Sequence, residues 1–286
     1  LSRNRDRLGN RTVQHSDPAP QQTQPQQEAG SFSFVVPTEF VELPSKGAFY
    51  AEGHPLHNQE TIEIKHMTAK EEDMLTSQAL LKKGLALERV INSIIVDKKI
   101  NPDSLLVGDR NAIMIAARIS GYGSDYTTKV ACPSCSETQE YSFDLFDAQT
   151  HHGDSNDDLL VESLGGGFFS TVLPRTKFEV VFRLLDGRDE KTLLTQIDNA
   201  RKKNKEENAV TRQLKLITVS VNGDDSPQAV NYFVNNVPSI DSHHLRTAFT
   251  LATPNIDLSQ HFTCNKCGYD AEMEVPLTAD FFWPKR

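Results

Sequence analysis

Four cysteines are the residues best placed to do chemistry. Cys132 and Cys135 lie in VACPSCSETQEYSF (130–143), and Cys264 and Cys267 in HFTCNKCGYDAEMEV (261–275). Two residues between cysteines let both thiolates reach one ion from a tight turn. Four thiolates in a tetrahedron are a usual structural zinc set. Both pairs are flanked by short alternating runs that read as hairpin strands, and the four cysteines of the chain are all used. The expected cofactor is therefore a structural Zn2+ held by Cys132, Cys135, Cys264 and Cys267.

The customary spacing puts two such pairs roughly 15 to 20 residues apart. Here 128 residues separate Cys135 from Cys264. A zinc ribbon of this kind is either split by an inserted domain or completed between two chains, and the insertion is the reading adopted. A lone redox pair would sit beside a βαβ pattern, which neither pair does. Two disulfides would need an oxidising compartment, and the N-terminal residues lack the order of a secretory signal. The chain is thus expected in a reducing cytoplasm during its early life.

Other candidates for chemistry are weaker. His54 and His57 flank a proline in a turn-rich stretch, His243 and His244 open a helix, and His261 lies three residues before Cys264. None has the HExxH spacing of a catalytic metal site, and surface or capping roles are expected. Gly165-Gly166-Gly167 has no following Gly-Lys-Ser/Thr, so it reads as a turn between strands rather than a phosphate loop. A four-thiolate site leaves no open position for substrate, so the chain is read as no enzyme.

Charge narrows the partners. The formal net charge is −9 over 286 residues, a balance that repels a phosphate backbone unless cations gather locally. Arg201-Lys202-Lys203-Asn204-Lys205 is followed at once by Glu206 and Glu207 and reads as a solvated helix end. No nucleic acid is expected, and no apolar run reaches the ~18 residues of a membrane helix. A zinc-ribbon regulator that binds nucleic acid is the competing function, and a hydrolase using His54, His57 or His261 a third.

The elements that must position the cysteines follow from pattern. Residues 1–30 are Gln- and Pro-rich and bury too little to offset their ordering entropy; an extended arm ordered by a neighbouring subunit is expected. Residues 31–66 form a strand- and turn-rich lead-in, with Phe32 to Val36 as an edge strand and TIEIKH (61–66) as a half-buried strand. Residues 67–121 form a helical unit, with Thr68 and Glu71 as a capping box, Gly84 as a left-handed stop, and Asp109 capping a third helix. Residues 122–145 and 259–286 make the split ribbon and an aromatic end. Residues 146–258 form an inserted α+β domain with a strand over 177–185, a helix from Asp186, a strand over 214–221 with an Asn222-Gly223 hairpin turn, and a last helix capped by Ser239 or Asp241. Phe281, Phe282 and Trp283 are too apolar for a free terminus; they either close the core or bind a partner. The fold class is α+β.

VELPSKGAFYAEGHPL, MTAKEEDMLTSQALLKKG, INSIIVDKKI and LLVGDRNAIMIAARISGYG, followed by CPSC, a distant CNKCG and FFWP, are the stretches that carry a likeness. From about residue 41 to 286 the chain resembles the baseplate hub subunit and hub assembly family of T-even-like contractile-tailed phages. The resemblance implies a structural or assembly role at the tail baseplate, other tail proteins as partners, a place in the virion, and no enzymatic activity. A zinc staple would suit it, since metal bonds stiffen hairpins that have little core of their own.

Overall fold

The computed structural model describes residues 35–153, 156, 158–203, 206–275 and 281–282. The expected N-terminal arm, most of the Phe32–Val36 stretch and Trp283 lie outside these residues. The described chain from Val36 onward belongs to one compact unit.

Strands β1 (Thr38–Glu42) and β2 (Thr61–Lys65) pair antiparallel, with Thr38 opposite Lys65. Alternation buries Val41, Ile62 and Ile64 and turns their neighbours outward. Helices α1 (Ala69–Thr76), α2 (Gln78–Lys83), α3 (Ala86–Ile94) and α4 (Val107–Tyr122) follow. Glu71 reaches back to the Thr68 N–H at 2.9 Å, the reciprocal half of the expected capping box. The stretch from the Thr68 cap to the Gly84 stop is two helices rather than one, broken at Ser77, and Gly84 ends the second in the left-handed region at φ 68°. Of the stripe Leu87, Val90, Ile91, Ile94 and Ile95, whose spacing marks one helix face, the last four are buried and Leu87 is 38% exposed.

Asp109 does not cap α4. It lies inside the helix, fully buried, and its carboxylate accepts from the Ser45 N–H (3.0 Å), Ser45 Oγ (2.6 Å) and Tyr50 OH (2.6 Å). Burial holds its pKa above the ordinary carboxylate value against these hydrogen bonds. The residue therefore anchors the LPSKGAFY turn to the helix, a role that short-range spacing cannot reveal.

Two hairpins follow from opposite ends of the remaining chain: β3 (Asp125–Ala131) with β4 (Thr138–Asp144), and later β11 (Ser259–Thr263) with β12 (Asp270–Glu274). Between them β5 (Gln149–His151) pairs antiparallel with β10 (Asn255–Asp257), so the two ends of the intervening segment clasp each other. Inside that clasp, β6 (Glu162–Gly165), β7 (Phe168–Val172) and β8 (Glu179–Arg183) form an antiparallel sheet completed by β9 (Thr218–Val221). The three glycines make the β6–β7 turn, Gly165 to Gly167 all having positive φ. Helix α5 (Gly187–Lys202) is capped by Asp186, whose side chain accepts from the Arg188 and Asp189 N–H groups.

The expected strand over 214–221 is a helix for its first half. Helix α6 (Ala209–Ile217) runs into β9, because Leu214 and Ile217 bury their helical face in the core under the sheet. Asn222 and Gly223 do make a tight turn at positive φ, but the chain then enters α7 (Pro227–Asn236) instead of a second strand. Helix α8 (Ser239–Ala252) begins after Pro238; Asp241 is buried and accepts from the Arg175 (2.8 Å) and Thr176 (3.0 Å) N–H groups, so it secures the β7–β8 turn rather than its own helix.

The core falls into two clusters. One unites the lead-in, α1, α3 and α4, both hairpins and Phe281 and Phe282. The other fills the segment between the hairpins and includes Phe169, Phe182, Leu214, Leu245 and Phe249, with Phe49 and Val107 packed on it from the first half of the chain. The two are bonded at their join: Gly187 N–H to Leu105 O (3.0 Å), Val107 N–H to Leu185 O (3.1 Å), and Arg110 to Glu190 at 2.7 Å. Helix α4 crosses this join so closely that a Cβ on Gly108 would stand 1.9 Å from the Pro254 carbonyl oxygen. Among the described residues no helix is long and apolar enough to cross a membrane.

Candidate metal centre

The two C-x-x-C turns are built alike. In the first, the Ser136 N–H returns to Cys132 O (2.9 Å) and the Cys132 N–H to Glu137 O (2.8 Å). In the second, the Gly268 N–H returns to Cys264 O (3.0 Å) and the Cys264 N–H to Tyr269 O (2.8 Å). Each turn needs a left-handed residue straight after its second cysteine. Ser136 (φ 58°) supplies it in one and Gly268 (φ 68°) in the other. The residues after the cysteines thus aim both thiols of each turn to one side.

The hairpins face each other across the sequence gap. Gln139 bridges them twice, donating from Nε2 to Thr263 O (3.1 Å) and accepting at Oε1 from the Asn265 N–H (3.0 Å). Tyr141 donates to His261 O at 3.1 Å and its ring packs 5.1 Å from that of Phe262. Gln260 donates to Asp144 O at 2.6 Å, and Lys266 pairs with Glu137 beside the cysteines.

The result brings all four sulfurs together, within 4.8 Å of one another. Cys132 and Cys267 approach to 3.7 Å and Cys135 and Cys264 to 3.8 Å, each contact joining one hairpin to the other. All four are free thiols. Sulfurs bound to one tetrahedral ion at about 2.3 Å stand about 3.8 Å apart. The donor set and its spacing therefore fit a metal ion held by the chain's own residues. Cys132 and Cys264 are buried, Cys135 is half-buried and Cys267 exposed.

Electrostatics points the same way. At Cys264 the N–H groups of Cys267 and Lys266 favour the thiolate and bring the pKa down to about 7. At Cys135 the Glu137 N–H favours ionisation, but desolvation and the three neighbouring sulfurs outweigh it and hold the thiol up at about 12. Four thiolates this close repel, and a divalent cation is what lets them ionise together.

The histidines stand elsewhere. His54 stacks on Tyr50 with ring centroids 4.4 Å apart and bonds Ser104 Oγ at 2.9 Å; His57 bonds Tyr50 O at 2.7 Å. His261 faces outward and pairs with Asp270 at 3.1 Å. His244 lies between Thr171 Oγ1 (3.0 Å) and Leu159 O (3.2 Å). Among the described residues the four cysteines form the one group of His, Cys, Asp or Glu able to hold a metal. Phe281 and Phe282 lie in the core, 4% and 6% exposed, with Phe281 edge-on to Tyr126. They close the core, the first of the two outcomes their apolar character allowed. Sequence reasoning missed Arg118, which is buried and holds this closing segment through the Phe281 carbonyl; a lone arginine in a helix carries no signal of such a role.

No curated protein and no solved structure matches the chain. A family model described as "T4 bacteriophage base plate protein" matches residues 37–283, nearly the whole of the described chain. The match spans both hairpins, the helices before them and the segment between them, and with it the structure's four-cysteine cluster. The chain therefore belongs to the T4 bacteriophage base plate protein family, whose structural role lies in the phage tail among other tail proteins.

Proposed function

We propose that this protein is a structural or assembly component of the baseplate hub, stapled by one Zn2+ and working through protein–protein contacts without catalysis. The observation that carries the reading is the convergence of Cys132, Cys135, Cys264 and Cys267, from hairpins far apart in sequence, in a chain of the baseplate family. Four thiolates fill a tetrahedral zinc completely, which suits a staple and leaves no place for substrate. The two hairpins then constitute one zinc ribbon, split by the segment clasped between β5 and β10. Zinc fixes both ends of that segment at one point, so the body keeps its shape while neighbouring subunits pull on it. The N-terminal arm is taken to lie on such a neighbour.

Quantitative mass spectrometry of purified tails beside infected-cell lysate, with metal analysis of the purified chain, tests this. Stoichiometric presence in tails and one zinc per chain are expected. A chain without metal, or one absent from tails that shifts DNA in a salt-dependent way, overturns it.

A further inference from the structure

A concavity of about 620 Å³ opens between the β1–β2 hairpin and helices α1 and α3. Lys65, Lys70, Arg89 and Lys98 line it, and no Asp or Glu does. In a chain of net charge −9, four cations around one hollow are a marked local reversal.

The nearest carboxylate is already engaged. Glu71 is fully buried beside the hollow and takes Lys65 Nζ at 3.1 Å, along with Thr68 and Ser93. Lys98 Nζ is spread over the carbonyls of Asn92 (2.9 Å), Ser93 (3.2 Å) and Ile95 (2.6 Å) at the end of α3, so its charge is fixed in place. Burial and then the positive fields of Lys65 and Lys70 lower its pKa, against a pull upward from Glu71. The cations therefore sense one another. Lys70 and Arg89 are exposed and have no ion pair among the described residues. Glu63, two residues from Lys65 on the same strand face, does not line the hollow.

The hollow is not purely electrostatic. Val36, Met74, Ile95 and Val96 form an apolar lining between the cations. Bare phosphate has no use for that surface, whereas a peptide carrying alternate acidic and apolar side chains fills both parts. We propose that this cradle docks an acidic, partly apolar segment of another protein. Choosing protein over nucleic acid rests on the baseplate reading; the cradle itself rests on the charges and the shape.

The test uses the full metal-loaded chain and fluorescence anisotropy with a labelled peptide alternating Glu and Leu. Wild type is expected to bind it in about 50 mM salt and release it as the salt is raised through the range where screening shortens to a few ångströms. The Lys70→Glu/Arg89→Glu variant is expected to bind about tenfold more weakly or worse. Both side chains are exposed and make no ion pair or hydrogen bond among the described residues, so the variant's melting curve should match wild type. Lys215→Glu, an exposed charge reversal on α6, should bind as wild type does, and a Gln/Leu peptide should not bind. No binding by wild type, or an unchanged affinity in the double variant, overturns the proposal. So does an oligothymidylate that competes as well per charge as the peptide, since the hollow would then be a general polyanion site. Tail stoichiometry is read separately, so failure here and failure of the hub reading are distinguishable.

Discussion

Arg118 on α4 donates from Nε to the carbonyl oxygen of Phe281 at 2.6 Å, across 163 residues of chain. The same guanidinium donates to Gly123 O (2.6 Å) and Asp125 O (3.0 Å). One buried side chain thus joins the end of α4, the start of β3 and the C-terminal segment that closes the core. Its pKa is lowered by that burial, and the three carbonyls are what make the site habitable for a cation.

Arg118→Met keeps most of the volume and removes every donor. It leaves three carbonyls seeking partners, each costing about 1–3 kcal/mol if buried and unpaired. A loss of roughly 2–4 kcal/mol on denaturant unfolding is expected, with faster proteolysis near Phe281. Wild-type stability in the variant would show that the arginine does not hold the segment.

Metal removal should loosen the hairpin pair. Cys135→Ser, or a strong chelator on wild type, is expected to lower Tm by roughly 10 °C, given about 2–4 °C per kcal/mol for a domain of this size. The cross-hairpin bonds of Gln139 and Tyr141 remain, so the fold should persist in weakened form. The Cys135→Ser chain should also enter tails poorly. Normal assembly with no metal bound would refute the staple.

Glu71 should contribute an acid-labile increment. Burial opposes its charge, but hydrogen bonds from Ser93, Thr68 and Lys65 prevail and hold the pKa at about 2, below the ordinary 4.5. A depressed carboxylate stabilises the fold above its unfolded pKa, and the benefit is lost as pH falls from about 4.5 to about 2. The full increment is on the order of 3 kcal/mol. Asp109, raised by burial, works in the opposite sense. The comparison is therefore between wild type and Glu71→Gln. The variant should be less stable at pH 6, and the gap should close towards pH 2. A gap independent of pH would mean that the charge is not what matters.

Gly108→Ala tests the crossing of α4 over the join. Its new Cβ would meet the Pro254 carbonyl oxygen at 1.9 Å and the Asn255 Cα at 2.9 Å, backbone atoms that no side-chain rotation can move aside. Overpacking of this kind costs about 1–3 kcal/mol or more, whereas alanine in an open helix would stabilise by up to about 1 kcal/mol. Thermal unfolding decides by the sign alone.

Local chemistry was legible in the sequence. Each C-x-x-C turn is closed by hydrogen bonds within six residues, so its residue types announce it. Asp186 and Gly84 likewise cap helices through immediate neighbours. The periodicity from Leu87 to Ile95 marked the buried face of α3 except at Leu87, which is exposed, and TIEIK marked β2. Ser226 before Pro227 was a start signal for α7 present in the chain and passed over.

Tertiary structure decided what depends on distant partners. Asp109 and Asp241 have the sequence context of helix caps, yet they serve backbone and hydroxyl donors some 60 residues away. The run from Leu214 reads as a strand by its branched residues, and becomes a helix up to Ile217 because the core beneath the sheet takes Leu214 and Ile217 from a helical face. The sequence alone named four cysteines and their metal-binding spacing. That they meet, with sulfurs 3.7 and 3.8 Å apart across two hairpins, required the β5–β10 clasp and the Gln139 bridges. Ligand type is written in a residue, but convergence over 128 positions is a property of the packed chain.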